Sequence, residues 1–177
     1  NASSITVPLS SSLYAPVAAT FNTPLTLSGA GWLENAGRIG ALRLASGANW
    51  AGNLTLAGNT RLSAHTDTAS NVVSGTIPGA YELETGTSAA GFLALSPASP
   101  NTFGSLRLSP GILWIGNANA LPATAPLVLN GGTLRLNGNN YNPSYVQFLA
   151  ASTIQNGSTT ARANITLTPI FNSALSL

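Results

Sequence analysis

The chain has no cysteine, no methionine and no lysine, and among its 177 residues only six arginines and four acidic residues carry a formal charge. Without cysteine there is neither a disulfide framework nor a thiolate metal site, a composition compatible with an oxidising compartment. Without lysine there is no phosphate-binding glycine loop of the usual kind and no lysine–asparagine isopeptide crosslink. The arginines at 38, 43, 61, 107, 135 and 162 are dispersed along the chain, so no basic stripe of the sort that tracks nucleic acid is expected. One histidine and four scattered acids leave too few ligands for a transition-metal cage or a repeated calcium loop, and no cofactor is expected.

Long apolar runs are missing as well. The longest are a few residues, as in Ala15–Ala19, whereas a membrane helix needs about 20, so no helical membrane insertion is expected. Helical periodicity is absent, and eleven prolines with eighteen glycines would interrupt any ordinary helix. The sequence opens on Asn1-Ala2-Ser3 without a methionine and is expected to be a mature form or an excerpt of a longer protein.

What is present is alternation and recurrence. Hydrophobic residues make up 44% of the chain, enough for a packed core, while polarity comes from Ser, Thr, Asn and Gly. Ser105–Asn117 (SLRLSPGILWIGN) superposes on Pro126–Gly138 (PLVLNGGTLRLNG) after 21 residues, placing Leu106 on Leu127, Leu108 on Leu129, Leu113 on Leu134 and Ile115 on Leu136. Each copy is two short strands of period two joined at a glycine, and recurrence at this length is the mark of a stacked solenoid. The expectation is an all-β chain forming one parallel β-solenoid domain of about eight coils with strand-like ends. Residues 1–22 would be an N-terminal strand or cap, 23–140 repeat-like coils and 141–177 the C-terminal coils and strand. A jelly roll of similar length is disfavoured by the 21-residue register.

The same offset sets Leu62 over Leu83, Arg61 over Glu82, and Trp114 beside Arg135, the last two as outward-facing neighbours of favourable chemistry. Asparagines 59, 117, 130, 137 and 139 fall at corners, where they are expected to stack from coil to coil.

The stretch Phe92–Gly138 (FLALSPASPNTFGSLRLSPGILWIGNANALPATAPLVLNGGTLRLNG) resembles the autotransporter-associated β-strand repeat family. The turn Asn101-Thr102-Phe103-Gly104, the connection Ala120-Leu121-Pro122 and the close Leu127–Gly138 carry the likeness. Leu25–Gly31, Gly40–Leu42, Ser46–Leu56 and Ser74–Gly79 resemble the family's lead-in segments. The resemblance covers about residues 23–140. It implies a right-handed parallel β-helix, exported and displayed outside a bacterial cell.

Candidates for chemistry are few. Glu82 and Glu84 are the only close carboxylate pair, at a spacing admissible for glycosidic chemistry, but at i and i+2 on a strand they share one solvated side. His65 and Asp67 lack a nucleophile elbow. Four Asn-x-Ser/Thr segments, at Asn1, Asn53, Asn156 and Asn164, fit a glycosylation acceptor in a chain rich in these residues. No catalytic site is expected. The favoured role is a non-enzymatic subunit of an extracellular filament, sheath or layer. It would join copies of itself head to tail through Ile5, Val7 and Leu9 near one end and Ile165, Leu167, Ile170 and Phe171 near the other. An adhesin is the alternative, its glycan-stacking face built from Trp32, Trp50, Trp114 and the tyrosines of Asn140–Tyr145. A polysaccharide-active β-helix enzyme is the second alternative.

Overall fold

The computed structural model describes residues 3–35, 37–65, 69–87 and 91–157. Through them the backbone winds as a right-handed parallel β-helix of about seven coils. The first coil comprises β1 (Ile5–Val7), β2 (Leu13–Ala15) and β3 (Thr20–Phe21). The second holds β4 (Leu25–Gly29), the short strands β5 (Leu33–Glu34) and β6 (Gly37–Arg38), then β7 (Leu42–Leu44) and β8 (Asn49–Trp50). The third comprises β9 (Leu54–Ala64) and β10 (Ser70–Val73), the fourth β11 (Glu82–Thr87) and β12 (Phe92–Leu95). The last three pair β13 (Ser105–Leu108) with β14 (Ile112–Ile115), β15 (Leu127–Asn130) with β16 (Thr133–Arg135), and β17 (Val146–Ala150) with β18 (Thr153–Gln155) as successive strands of one coil.

The coil has three sides because β9 turns a corner. Its first half pairs with β4 and its second half with β7 and β11. β1, β4 and the start of β9 therefore make a first face. It continues without regular strands through the bonds Leu54 N to Thr76 O (2.9 Å), Thr102 N to Ile77 O (3.1 Å) and Asn101 N to Asn119 O (3.0 Å). The second face runs through β2, β7, the end of β9, β11, β13, β15 and β17. The third is the seven-stranded sheet from β3 to β18.

Leucine alternating with a polar residue puts one side chain into the tube and the next into solvent, which explains the alternating burial of β4, β13 and β14. Leu106 stands beside Leu127, Leu108 beside Leu129 and Leu113 beside Leu134, and Ile115 and Leu136 are both in the core. Elsewhere the offset changes. Leu62 stands beside Thr85, and Arg61 beside Glu84, so the expected pairing of Leu62 with Leu83 and Arg61 with Glu82 is corrected by two residues. The coils differ in length because loops between the faces do, and register follows the inward leucines rather than a fixed period.

Corners are held by close backbone contact and by asparagine. A Cβ on Gly75 would sit 2.0 Å from the carbonyl oxygen of Gly52 on the coil before it, so only glycine lets these two corners stack. Asn101 is buried, its Oδ1 accepting from Ile77 N at 2.7 Å and its Nδ2 donating to Ala120 O at 2.8 Å. Asn117 and Asn139 likewise donate to carbonyls of the preceding coil, at Pro97 and Ile115. Asn117 and Asn139, two of the five corner asparagines expected to stack, thus bond the neighbouring backbone and not one another, and all three amides satisfy groups that no strand pairs.

Candidate functional site

Charge dispersed in the sequence is gathered on the second face. Arg61, Glu84 and Arg107 stand side by side on β9, β11 and β13, all outward. Arg61 Nη1 lies 3.4 Å from Glu84 Oε1, and Arg107 Nε donates to Glu82 Oε1 at 2.8 Å. The hydrogen bond to Glu82 holds the Arg107 guanidinium above its ordinary pKa. Glu84 also accepts from the Ser109 hydroxyl. Each carboxylate is thus turned to an arginine on a half-buried outward face, an arrangement that ties neighbouring coils together.

The same face ends at a protrusion. Residues 31–35 and 37–40 leave the second coil as a hairpin, β5 antiparallel to β6, which lengthens that coil so that Phe21 and Trp50 are neighbours on the third face. Its neck is narrow, because a Cβ on Gly31, at φ 79°, would lie 2.0 Å from Gly40 O. Ser12 of the first coil clamps it, donating to Gly40 O at 2.7 Å and accepting from Trp32 N at 2.7 Å. Arg38 Nη1 donates to Gly31 O at 2.8 Å. The backbone that carries Trp32 is therefore tied on both sides while its indole is 61% exposed.

Beneath this hairpin lies a hollow of about 320 Å³ lined by Ser12, Tyr14, Trp32, Glu34, Ile39, Arg43 and His65. Arg43 stands beside Tyr14 in the β2–β7 register, its guanidinium 5.7 Å from the Tyr14 ring centre and 3.6 Å from Glu34 Oε2. The His65 ring lies 6.2 Å from that of Tyr14, tilted by 37°. Tyr14 itself is 46% exposed. The exposed Trp32 and the half-exposed Tyr14, whose ring carries Arg43, thus flank a carboxylate and a guanidinium. A larger hollow of about 760 Å³ on the first face is lined by Asn119, Asn140, Asn142 and neutral neighbours, and holds no charged side chain.

The three tryptophans do not form one surface. Trp50 is core, stacked on Phe21 at 5.1 Å with its Nε1 donating to Thr23 O at 3.1 Å. Trp114 faces outward on the third face, edge-on to Phe92, with the Arg135 guanidinium 5.9 Å from its ring centre and its own Nε1 buried without a partner. Only Trp32 stands clear. Tyr141 is also core, donating its hydroxyl to Ala125 O. Among the proposed end residues Ile5 and Leu9 are exposed and Val7 is buried, while Ile165, Leu167, Ile170 and Phe171, like Asp67, lie outside the described residues. No group of three His, Cys, Asp or Glu side chains able to hold a metal occurs among the described residues.

Sequence reasoning missed Tyr14, Glu34 and Arg43, because the hairpin that assembles them has no alternating pattern and its partners lie on the coil before. The signal at hand was the clustering of Trp32, Glu34 and Arg38 in a chain so poor in charge and aromatics. Comparison with protein-family models, with curated proteins and with solved structures found no match. The fold and the site define the class as a β-solenoid with an aromatic, charged hollow at the base of an inserted hairpin.

Proposed function

We propose that the chain is a non-enzymatic structural module of an extracellular assembly, joined end to end to further copies through its first coil. The observation that carries this reading is the edge of that coil: among the described residues β1, β2 and β3 are paired on one side only. Residues 3–24 include no charged residue, and Ile5 and Leu9 leave apolar surface exposed. Sheets that remain single protect such edges with charge, above all lysine, and this chain has none. A strand from another copy would add to the open edge through main-chain hydrogen bonds, and because the two joined surfaces differ the contact would extend into a fibre. The resemblance to autotransporter repeats supports display outside a bacterial cell. The non-enzymatic reading is supported by Glu82 and Glu84, each held by an arginine on an open face.

Electron microscopy and fibre diffraction of the purified chain test the proposal. Filaments with a repeat of about 4.8 Å along their axis are expected. Thr6→Lys with Thr20→Lys places charge on two edge strands at exposed positions, and this variant is expected to stay folded and to stop assembling. Sedimentation of the unaltered chain as a monomer at high concentration would overturn the reading.

A further inference from the structure

Beyond assembly, we propose that the hollow under the hairpin, bounded by Tyr14, Trp32, Glu34, Arg43 and His65, is a binding subsite for a neutral pyranose of a glycan. Size comes first: about 320 Å³ is at the small end of ligand sites, room for a sugar unit or two rather than a long polymer in cross-section. Geometry comes second. Trp32 is 61% exposed on a backbone clamped by Ser12 and Arg38, so the point from which its indole projects is set before any ligand arrives. An exposed aromatic ring offers a π face to the C–H face of a pyranose, and the half-exposed Tyr14, its ring braced by Arg43, adds apolar wall nearby.

The polar groups select the ligand's chemistry. Arg43 and Glu34 stand 3.6 Å apart, a donor-only group next to an acceptor-only group. Two adjacent sugar hydroxyls match that pair, one donating to the carboxylate while its neighbour accepts from the guanidinium. A uronate or sialate carboxylate would gain Arg43 but would be driven against Glu34, so a neutral sugar is favoured. Arg43 is mostly buried and braced on the Tyr14 ring, which keeps its fork in place. The location is consistent with this role. The hollow opens on the flank of the β-helix where Ser12 and Tyr14 of the first coil meet Trp32, Glu34 and Arg43 of the second, so each subunit of a fibre would present one such subsite beside its junction.

The test is saturation-transfer NMR, with tryptophan fluorescence, on the intact chain and neutral disaccharides (cellobiose, maltose, lactose) up to about 10 mM, with glucuronate as the anionic comparator. Saturation transfer to at least one neutral disaccharide is expected, weakened about tenfold or more by Trp32→Ala and partly restored by Trp32→Phe. Glu34→Gln is expected to weaken the neutral sugar and to improve glucuronate. Both side chains are exposed, and an unchanged urea midpoint shows that the variants remain folded. Assembly, read separately by sedimentation, is expected to be the same in all of them, so loss of the subsite and loss of end-to-end joining are distinguishable. Absence of transfer to every neutral sugar, retention of full affinity in Trp32→Ala, or preference of the unaltered chain for glucuronate would each overturn the proposal.

Discussion

Arg107 donates through Nε to Glu82 at 2.8 Å across two coils, although the two residues are 25 positions apart in the chain. Beneath this pair, Leu106 of β13 is fully buried between Leu83 of β11 and Leu127 of β15. The two layers contribute differently. A partly exposed ion pair contributes about 0.2–1 kcal/mol, whereas truncating a packed leucine costs about 2–5 kcal/mol because it leaves a cavity. Glu82→Gln is therefore expected to move the urea midpoint slightly, and less still in high salt. Leu106→Ala is expected to lower it strongly at any ionic strength.

Asn101 links three coils without belonging to a strand. Replacement by leucine removes both an acceptor for Ile77 N and a donor to Ala120 O at a site that water does not reach. Two unsatisfied backbone groups cost about 1–3 kcal/mol each, so Asn101→Leu is expected to destabilise by roughly 2–6 kcal/mol despite its greater hydrophobicity. Asn101→Asp is expected to be at least as harmful, since a carboxylate cannot donate to the Ala120 carbonyl. Equilibrium unfolding in urea measures both, and stability equal to the parent in the leucine variant would show that the bonds are not needed.

The coils from 105 to 138 were legible in the sequence because two successive coils have equal length, so Leu106 and Leu113 recur above Leu127 and Leu134. The charged face was not. Arg61 meets Glu84 and Arg107 meets Glu82 only once the loop lengths between faces are known, and those loops lack a pattern of their own. His65 drew attention through its sequence neighbour Asp67, whereas the ring it approaches is that of Tyr14, more than two coils earlier in the chain. Trp32 was grouped with Trp50 and Trp114 as one stacking face, and the Arg43–Glu34 pair that sets it apart depends on an inserted hairpin.

Alkaline stability should report one side chain. The chain has no lysine and no cysteine, so its four tyrosines are the only side chains with ordinary pKa values between 9 and 11. Burial pushes the Tyr141 phenol well above its ordinary value near 10. The folded state then holds a proton that the unfolded state releases. The contribution is fully present below pH 10 and is lost as pH rises from there toward the folded value, at a limiting slope of about 1.4 kcal/mol per pH unit. The urea midpoint is expected to fall above pH 10 in the parent and to fall less steeply in Tyr141→Phe. Equal slopes in the two proteins would show that Tyr141 ionises as readily folded as unfolded.

Hydrogen exchange ties the open edge to assembly. Ile5 N and Leu13 N bond to Pro24 O and Ala41 O of the second coil, and strand alternation sends the N–H groups of Thr6 and Tyr14 the other way, off the stack. In dilute solution these two amides are expected to exchange quickly while those of Leu106 and Leu113, inside the stack, exchange slowly. A solenoid gains stability from nearest-neighbour contacts, so one added coil on the open side would protect Thr6 and Tyr14 directly and the rest of the first coil by extension. Protection of these amides is therefore expected to rise with protein concentration, and Thr6→Lys with Thr20→Lys should abolish the rise at the neighbouring Tyr14. Rapid exchange of Thr6 and Tyr14 at every concentration, in a sample that nonetheless forms filaments, would place the joining surface elsewhere on the molecule.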